Sequence, residues 1–143
     1  MIIRPARMSD AATIAGLATQ LGYPTRPKEA EPRLRDVTSR PENAILVAES
    51  EGVVVGWIHV AASHHVETDC FAAILALVVD QEHRSGGIGA ELVEAAADWG
   101  AKNGFATLRV RSNVVRERTH AFYERLGFAR IKSQVVFARP IGR

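Results

Sequence analysis

Hydrophobic residues recur along this chain with two spacings, and the changes of spacing mark its elements. Ile2-Ile3 reads as a short first strand. Ala12, Ile14, Ala15, Leu17, Ala18 and Leu21 then follow helical spacing, with Ser9 or Asp10 as N-cap and Gly22 and Pro24 as the stop. Residues 28–40 predict a second helix with Leu34 and Val37 facing inward. Pro32 suits a first turn, which places the start near Glu31. Ala44–Ala48 and Val53–Val60 are rich in β-formers, and Glu51-Gly52 between them is a hairpin signal. Phe71 to Val79 is apolar almost throughout, as befits a strand covered on both faces, so Ala72–Val79 is expected at the centre of a sheet.

The longest helical pattern comes next. Ile88, Leu92, Val93, Ala96, Trp99 and Gly100 fall on one side, and Glu91, Glu94, Asp98 and Lys102 on the other, before a stop at Asn103-Gly104. Thr107 to Arg111 alternates as a strand does. A further helix opens at Asn113 or a neighbour, runs to about Leu126, and ends at Gly127. Phe128–Ile131 and Gln134–Ala138 read as two last strands or one bent one. No repeat, linker or low-complexity segment interrupts residues 1–143, which predicts a single domain.

The chemistry starts where the apolar strand ends. Leu77-Val78-Val79 leads into Asp80-Gln81-Glu82-His83-Arg84-Ser85-Gly86-Gly87-Ile88-Gly89-Ala90, and the long helix opens from those glycines. The first amides of a helix have no intrahelical partner, and the dipole adds partial positive charge, so a strand feeding a helix this way makes an anion site. Gly86, Gly87 and Gly89 have no Cβ to hold a phosphate away, and Arg84 adds a fixed charge. No Lys-Ser or Lys-Thr follows, so this is not a P-loop. Leu92 stands where a dinucleotide fingerprint needs its third glycine.

Composition narrows the class without choosing the ligand. The 143 residues are 47% hydrophobic and 24% charged, with a net charge of +2, which is ordinary for a globular domain and too small to argue for nucleic acid. A single cysteine, Cys70, excludes an intrachain disulfide and a multi-cysteine metal site. It opens an apolar strand, so a buried inert thiol is expected. A cytoplasmic protein is expected, and no apolar run is long enough to span a bilayer.

The segment Arg84-x-x-Gly87-x-Gly89 after Leu77-Val78-Val79 resembles the acetyl-CoA pyrophosphate loop of the GNAT superfamily of N-acetyltransferases. The opening Ile-Arg-Pro-Ala with Asp10, Ile14 and Leu17, and the exit Gln20-Leu21-Gly22-Tyr23-Pro24, are similar to GNAT N-termini. Ala121 to Phe128 follows the end of the family's N-x-x-A-x-x-x-Y-x-x-x-G-F helix. Where that pattern has asparagine this chain has Arg116, and its asparagine is Asn113, so either can meet the pantetheine arm or the phosphates. Helical spacing places Arg116, His120 and Tyr123 on one face, apart from Val115, Phe122 and Leu126 on the natural core face. Elements and resemblance together predict an α/β fold with a mixed, twisted sheet of about six or seven strands and helices on both faces.

The resemblance implies acetyl transfer from acetyl-CoA to a primary amine of a small molecule or peptide, by direct attack in a ternary complex. It implies a cofactor site made by Leu77, Val78, Val79, Arg84, Ser85, Gly86, Gly87, Ile88, Gly89 and Ala90, with Asn113, Arg116, His120 and Tyr123 from the second motif. Tyr123 carries a phenol suited to protonating the leaving thiolate. The strand position where some relatives carry a glutamate base reads Ala72-Ala73-Ile74 here, which leaves Glu67, Asp69, His64, His65 or a water chain. The region of the second helix lines the acceptor side in the superfamily. Arg33, Arg35 and Arg40 there either favour an acidic acceptor or form a solvated charged face. No metal is expected, nor a nucleic-acid or membrane partner. A homodimer is, since last strands of this superfamily often pair across subunits. The alternative function is a non-catalytic acyl-CoA sensor on the same fold.

Overall fold

The computed structural model describes residues 1–84, 86–112 and 117–142. Contacts divide the chain into two compact units, residues 1–111 and 112–143.

The first unit holds one five-stranded sheet in the order β1 (Ile2–Pro5), β2 (Asn43–Ser50), β3 (Val53–Ser63), β4 (Phe71–Val79), β5 (Leu108–Val110). The first four strands are antiparallel neighbours and β5 joins β4 in parallel, so the sheet is mixed. The β2–β3 hairpin turns on Glu51 and Gly52, both in the left-handed region at φ 52° and 79°. This is the two-residue turn that matches strand twist. β3 is the middle strand. β4, expected at the centre, is the next one out, because only β5 lies beyond it.

Helices α1 (Ala11–Leu21) and α2 (Pro27–Thr38) cover one face, and α3 (Ile88–Lys102) the other. Ala11, Ile14, Leu17 and Leu34 pack with Ile45, Val47 and Val78, against Trp57. On the opposite face a Cβ at Gly56 would lie 3.2 Å from Leu92 and 3.4 Å from Ile88. One at Gly100 would lie 3.2 Å from Ala72. Two glycines thus set how closely α3 approaches the sheet.

Two boundaries differ from expectation. The α2 helix starts at Pro27, not near Glu31. Pro27 takes the first helical position, Glu29 Oε1 accepts the Arg26 amide at 3.0 Å, and Pro32 is carried inside the helix. Asp10 does not cap α1 with its side chain. Its carboxylate accepts the Arg7 amide at 2.7 Å and the Arg4 guanidinium at 2.9 Å, and Arg4 also reaches Glu49 at 3.0 Å. Asp10 is 7% exposed, so this pairing satisfies a buried charge.

The second unit contains α4 (Glu117–Arg125), closed by Gly127 at φ 92° with the Phe128 amide bonded back to the Tyr123 carbonyl. The expected start of this helix, from Asn113, lies outside the described residues. No strand forms over residues 128–142, so the sheet has five strands rather than six or seven. Ile131, Val135, Val136, Phe137 and Ile141 are 64–93% exposed there.

Candidate active site

The site starts from a split between two strands. Parallel pairing of β4 with β5 covers only Ala72↔Leu108, Ala73↔Arg109 and Ile74↔Val110. β4 continues through Leu75 to Val79, bonded to β3 on one side, with no ladder partner on the other among the described residues. The register on β3 slips at the same point. His59 opposes Ala76 and Val60 opposes Ile74, leaving Leu75 as an extra residue, 59% exposed. A bulge of this kind twists the strand away from its neighbour. Leu77 and Val79 therefore turn their backbone polar groups to the gap, whereas those of Val78, like the Asp80 amide bonded to Val55, face β3. The Val78 side chain is buried in the core.

The strand runs straight into the glycine loop. A short 3-10 turn, Gln81–His83, leads to Gly86 and Gly87, and Gly87 caps α3 at φ 77° with its carbonyl accepting the Glu91 amide at 3.1 Å. Only glycine takes that φ without cost. Ile88, Gly89 and Ala90 are the first residues of α3, so their amides are the unpartnered ones. The Ile88 side chain is buried, which leaves its backbone for a ligand. Arg84 is exposed and its Nε donates to the Val79 carbonyl at 3.2 Å, which folds the guanidinium back over the loop. Ser85 lies outside the described residues.

Three residues that hold this loop were not singled out from the sequence. Gln20 of α1 donates to Asp80 at 3.1 Å and accepts the Gln81 amide at 3.0 Å. His83 Nδ1 lies 3.1 Å from the other Asp80 oxygen, and the Asp80 amide donates to the Val55 carbonyl at 2.8 Å. The Gln20 hydrogen bond, with help from His83, holds the Asp80 carboxyl below its usual pKa. The Asp80–His83 spacing was a readable signal. Gln20, sixty positions earlier, gave none.

The expected base candidates gather elsewhere. His64 Nδ1 lies 3.3 Å from Cys70 Sγ. His65 meets Ser63 at 2.7 Å and Glu67 at 3.4 Å, and stacks on Phe71. Glu67 is held below its usual pKa, mainly by a backbone hydrogen bond, which weakens it as a base. These residues and Asp69 occupy the β3–β4 turn, before Phe71. At ~3.3 Å per residue that turn is about 20 Å along β4 from Leu77. Cys70 is exposed, not buried, because it precedes the strand instead of opening it. Among the described residues no three metal-ligating side chains cluster, and no helix is long and apolar enough to cross a membrane. Arg33 and Arg35 on α2, and Arg40 just past its end, each pair with an acid four residues earlier, Glu29, Glu31 and Asp36.

In the second unit Tyr123 is the buried residue of α4, with Phe122 and Phe128 edge-on at 5.1 and 5.4 Å. It was expected on a face apart from the core. Phe128, brought back by the Gly127 turn, encloses it instead. Burial pushes the phenol pKa up, so it keeps its proton at neutral pH. His120 Nδ1 lies 3.3 Å from Arg130 Nη2. Asn113 and Arg116 lie outside the described residues.

A family profile described as "Acetyltransferase (GNAT) family" matches residues 11–128. An uncharacterized N-acetyltransferase, YhfO of Bacillus subtilis (strain 168), is 29% identical over 133 residues, covering 90% of this chain and 89% of that protein. Among solved structures, aminoglycoside 6'-N-acetyltransferase AAC(6')-IG from Acinetobacter haemolyticus superposes with a TM-score of 0.86 at 18% identity, covering 99% of this chain and 100% of that one. Aminoglycoside N-acetyltransferase AAC(6')-Iy in complex with CoA superposes with a TM-score of 0.81 at 18% identity, covering 97% and 98% of the two chains. At these identities the structures show a shared fold.

Proposed function

The chain belongs to the GNAT acetyltransferase family, and from that premise we propose that it transfers an acetyl group from acetyl-CoA to a primary amine. The observation that carries this reading is β4: a strand that parts from its parallel neighbour after Ile74 and then delivers the glycine loop and the α3 N-terminus. In the proposed complex the pantetheine arm lies along the open edge from Leu75 to Val79. The pyrophosphate meets the amides of residues 85–90, with Arg84 beside it. An amide on β4 stabilises the thioester oxygen as it becomes negative. Asn113, Arg116 and His120 are the further proposed cofactor contacts, from the second motif.

Tyr123 is the proposed acid. A phenol near 10 is a weaker acid than a thiol near 8.5, so full proton transfer to the thiolate is uphill by about 2 kcal/mol before burial adds to it. The phenol therefore acts by hydrogen-bonding the sulfur as charge develops, and solvent restores any proton lost. The acceptor is a small or peptide amine. Because aminoglycoside N-acetyltransferases share the fold, an aminoglycoside such as kanamycin is the first acceptor to test. The setting is the cytoplasm. The chain pairs with a second copy through the exposed apolar residues of the 128–142 segment, and a monomer mass by light scattering at high concentration would refute that pairing.

Mixing the protein with acetyl-CoA and an amine panel, with free thiol as readout, tests the reading. Turnover supports it. Tight CoA binding without turnover selects the acyl-CoA sensor instead, a reading favoured by the alanines at 72 and 73 and by the distant base candidates.

A further inference from the structure

Acetyl transfer needs a group to take the proton of the incoming ammonium, and the inference below rests on the proposed transfer. The β3–β4 turn lies far from the open edge of β4, but one titratable side chain lies on the neighbouring strand, level with the point where that edge opens. His59 sits in the middle of β3, opposite Ala76 and next to the slip in register that frees Leu75. One strand spacing, about 5 Å, separates its backbone from β4. The imidazole is half-buried, and its Nε2 lies 2.9 Å from Asn43 Oδ1. An amide oxygen only accepts, so Nε2 carries the hydrogen and Nδ1 holds a lone pair. Nδ1 has no hydrogen-bond partner among the described residues.

The surroundings suit a neutral base. Ala61, Ala73 and Ala76 stand around His59 on the same sheet face, and none of them extends beyond Cβ. The buried residues that α1 and α2 turn inward, Ile14, Leu17, Ala30 and Leu34, carry no charge, and β2 contributes Asn43 and Ile45. The charged residues in register on this face are Arg109 of β5, opposite Ala73, whose guanidinium lies over the Phe71 ring at 4.1 Å, and, two strands away on β1, Arg4, opposite Val47 and paired with Asp10 and Glu49. Burial pushes the His59 pKa below its ordinary value, so the ring is uncharged at neutral pH.

We propose that His59 is the general base of the transfer, held in the working tautomer by Asn43. Nδ1 takes one proton from the ammonium. The freed nitrogen pair attacks the thioester carbon, the C–N bond forms and the C–S bond breaks. A second amine proton is matched by the one that the departing sulfur gains, giving CoA thiol and the amide. The imidazolium returns its proton to solvent.

Long-range 15N–1H spectra of the wild type are the first test, with Nε2–H and a bare Nδ1 expected at pH 7. An Nδ1–H tautomer or a charged ring overturns the proposal. The second test is the free-thiol assay with spermidine, kanamycin and a glycyl peptide as probes. For His59→Gln, kcat falls roughly a hundred- to ten-thousand-fold, the range of general base catalysis. The limb of the pH profile on which wild-type kcat drops as the imidazole protonates disappears. Acetyl-CoA affinity by calorimetry holds within about twofold, and free imidazole restores part of kcat to His59→Ala. A variant with unchanged kcat, or one that keeps the acid limb, overturns the base. So does a loss of acetyl-CoA affinity in step with kcat, which marks a packing residue. If the wild type binds acetyl-CoA but acetylates none of the probes, the proposed function fails and this proposal falls with it.

Discussion

Gly87→Ala separates the proposed pyrophosphate site from the fold that carries it. Gly87 has φ 77°, and a Cβ added there would meet nothing within 4 Å. The intrinsic cost is therefore conformational, about 1–2 kcal/mol for an L-residue in the left-handed region. In a chain of 143 residues that lowers Tm by roughly 3–6 °C. The added methyl occupies the space where a phosphate must approach the backbone. Losing one charged hydrogen bond there costs about 1.5–3 kcal/mol, or roughly ten- to a hundred-fold in acetyl-CoA affinity. Gly104→Ala is the control. It carries the same kind of penalty at φ 85° with nothing within 4 Å, just past the far end of α3. A 15-residue helix puts it about 22 Å from Gly87. Calorimetry and thermal unfolding on both variants should show similar losses of Tm and a loss of affinity in Gly87→Ala alone. Equal affinities in the two would place the phosphates elsewhere.

Tyr123→Phe keeps the ring contacts with Phe122 and Phe128. It should cut turnover by roughly ten- to a hundred-fold, the worth of a hydrogen bond to a charged group, with acetyl-CoA affinity unchanged; near-normal turnover with chemistry rate-limiting would leave Tyr123 a structural ring. Gln20→Ala removes two hydrogen bonds that seat the start of the glycine loop, worth about 0.5–1.5 kcal/mol each, so KM for acetyl-CoA should rise roughly 5- to 150-fold with kcat little changed. A kcat loss at constant KM would count against a role in seating the loop. Asp10 has its pKa lowered, first by its hydrogen bond from Arg4, so its stabilising effect is complete above the unfolded carboxylate pKa and is lost as pH falls through the lower folded value. Asp10→Asn should destabilise at pH 7 by about 3 kcal/mol in urea titrations and flatten the decline below about pH 4; an unchanged acid limb would show that Asp10 does not set it.

Much of this was legible from local pattern. Glu51-Gly52 announced its turn because two positive-φ positions leave few residue choices. Gly87 announced a helix start because strand, glycine and helix are contiguous in the chain. What stayed hidden depends on pairing between distant residues. The opening of β4 comes from where β5 stops, and Leu108–Val110 gives no sign of its length in its own letters. Gln20 reaches the loop across sixty residues, and His59 reads as an ordinary strand position until Asn43 is seen beside it. The tail from Phe128 to Ala138 shows the converse: its pattern predicted strand, and the described residues there form none.

The half-paired state of β4 also bears on how the chain lives without its cofactor. Amides of residues 75–79 that face β3 are locked in a ladder, while those facing the gap have no ladder partner among the described residues, so the unliganded strand should exchange hydrogen with an alternating rhythm. A pantetheine arm laid along that edge would act as the missing strand, extending the sheet with atoms that are not polypeptide. Any species that binds only the folded chain adds to its stability, by about 2.7 kcal/mol at a hundred times Kd. The lifetime of the chain in a cell would then follow the supply of acetyl-CoA, so that scarcity thins the enzyme population before it slows the surviving molecules.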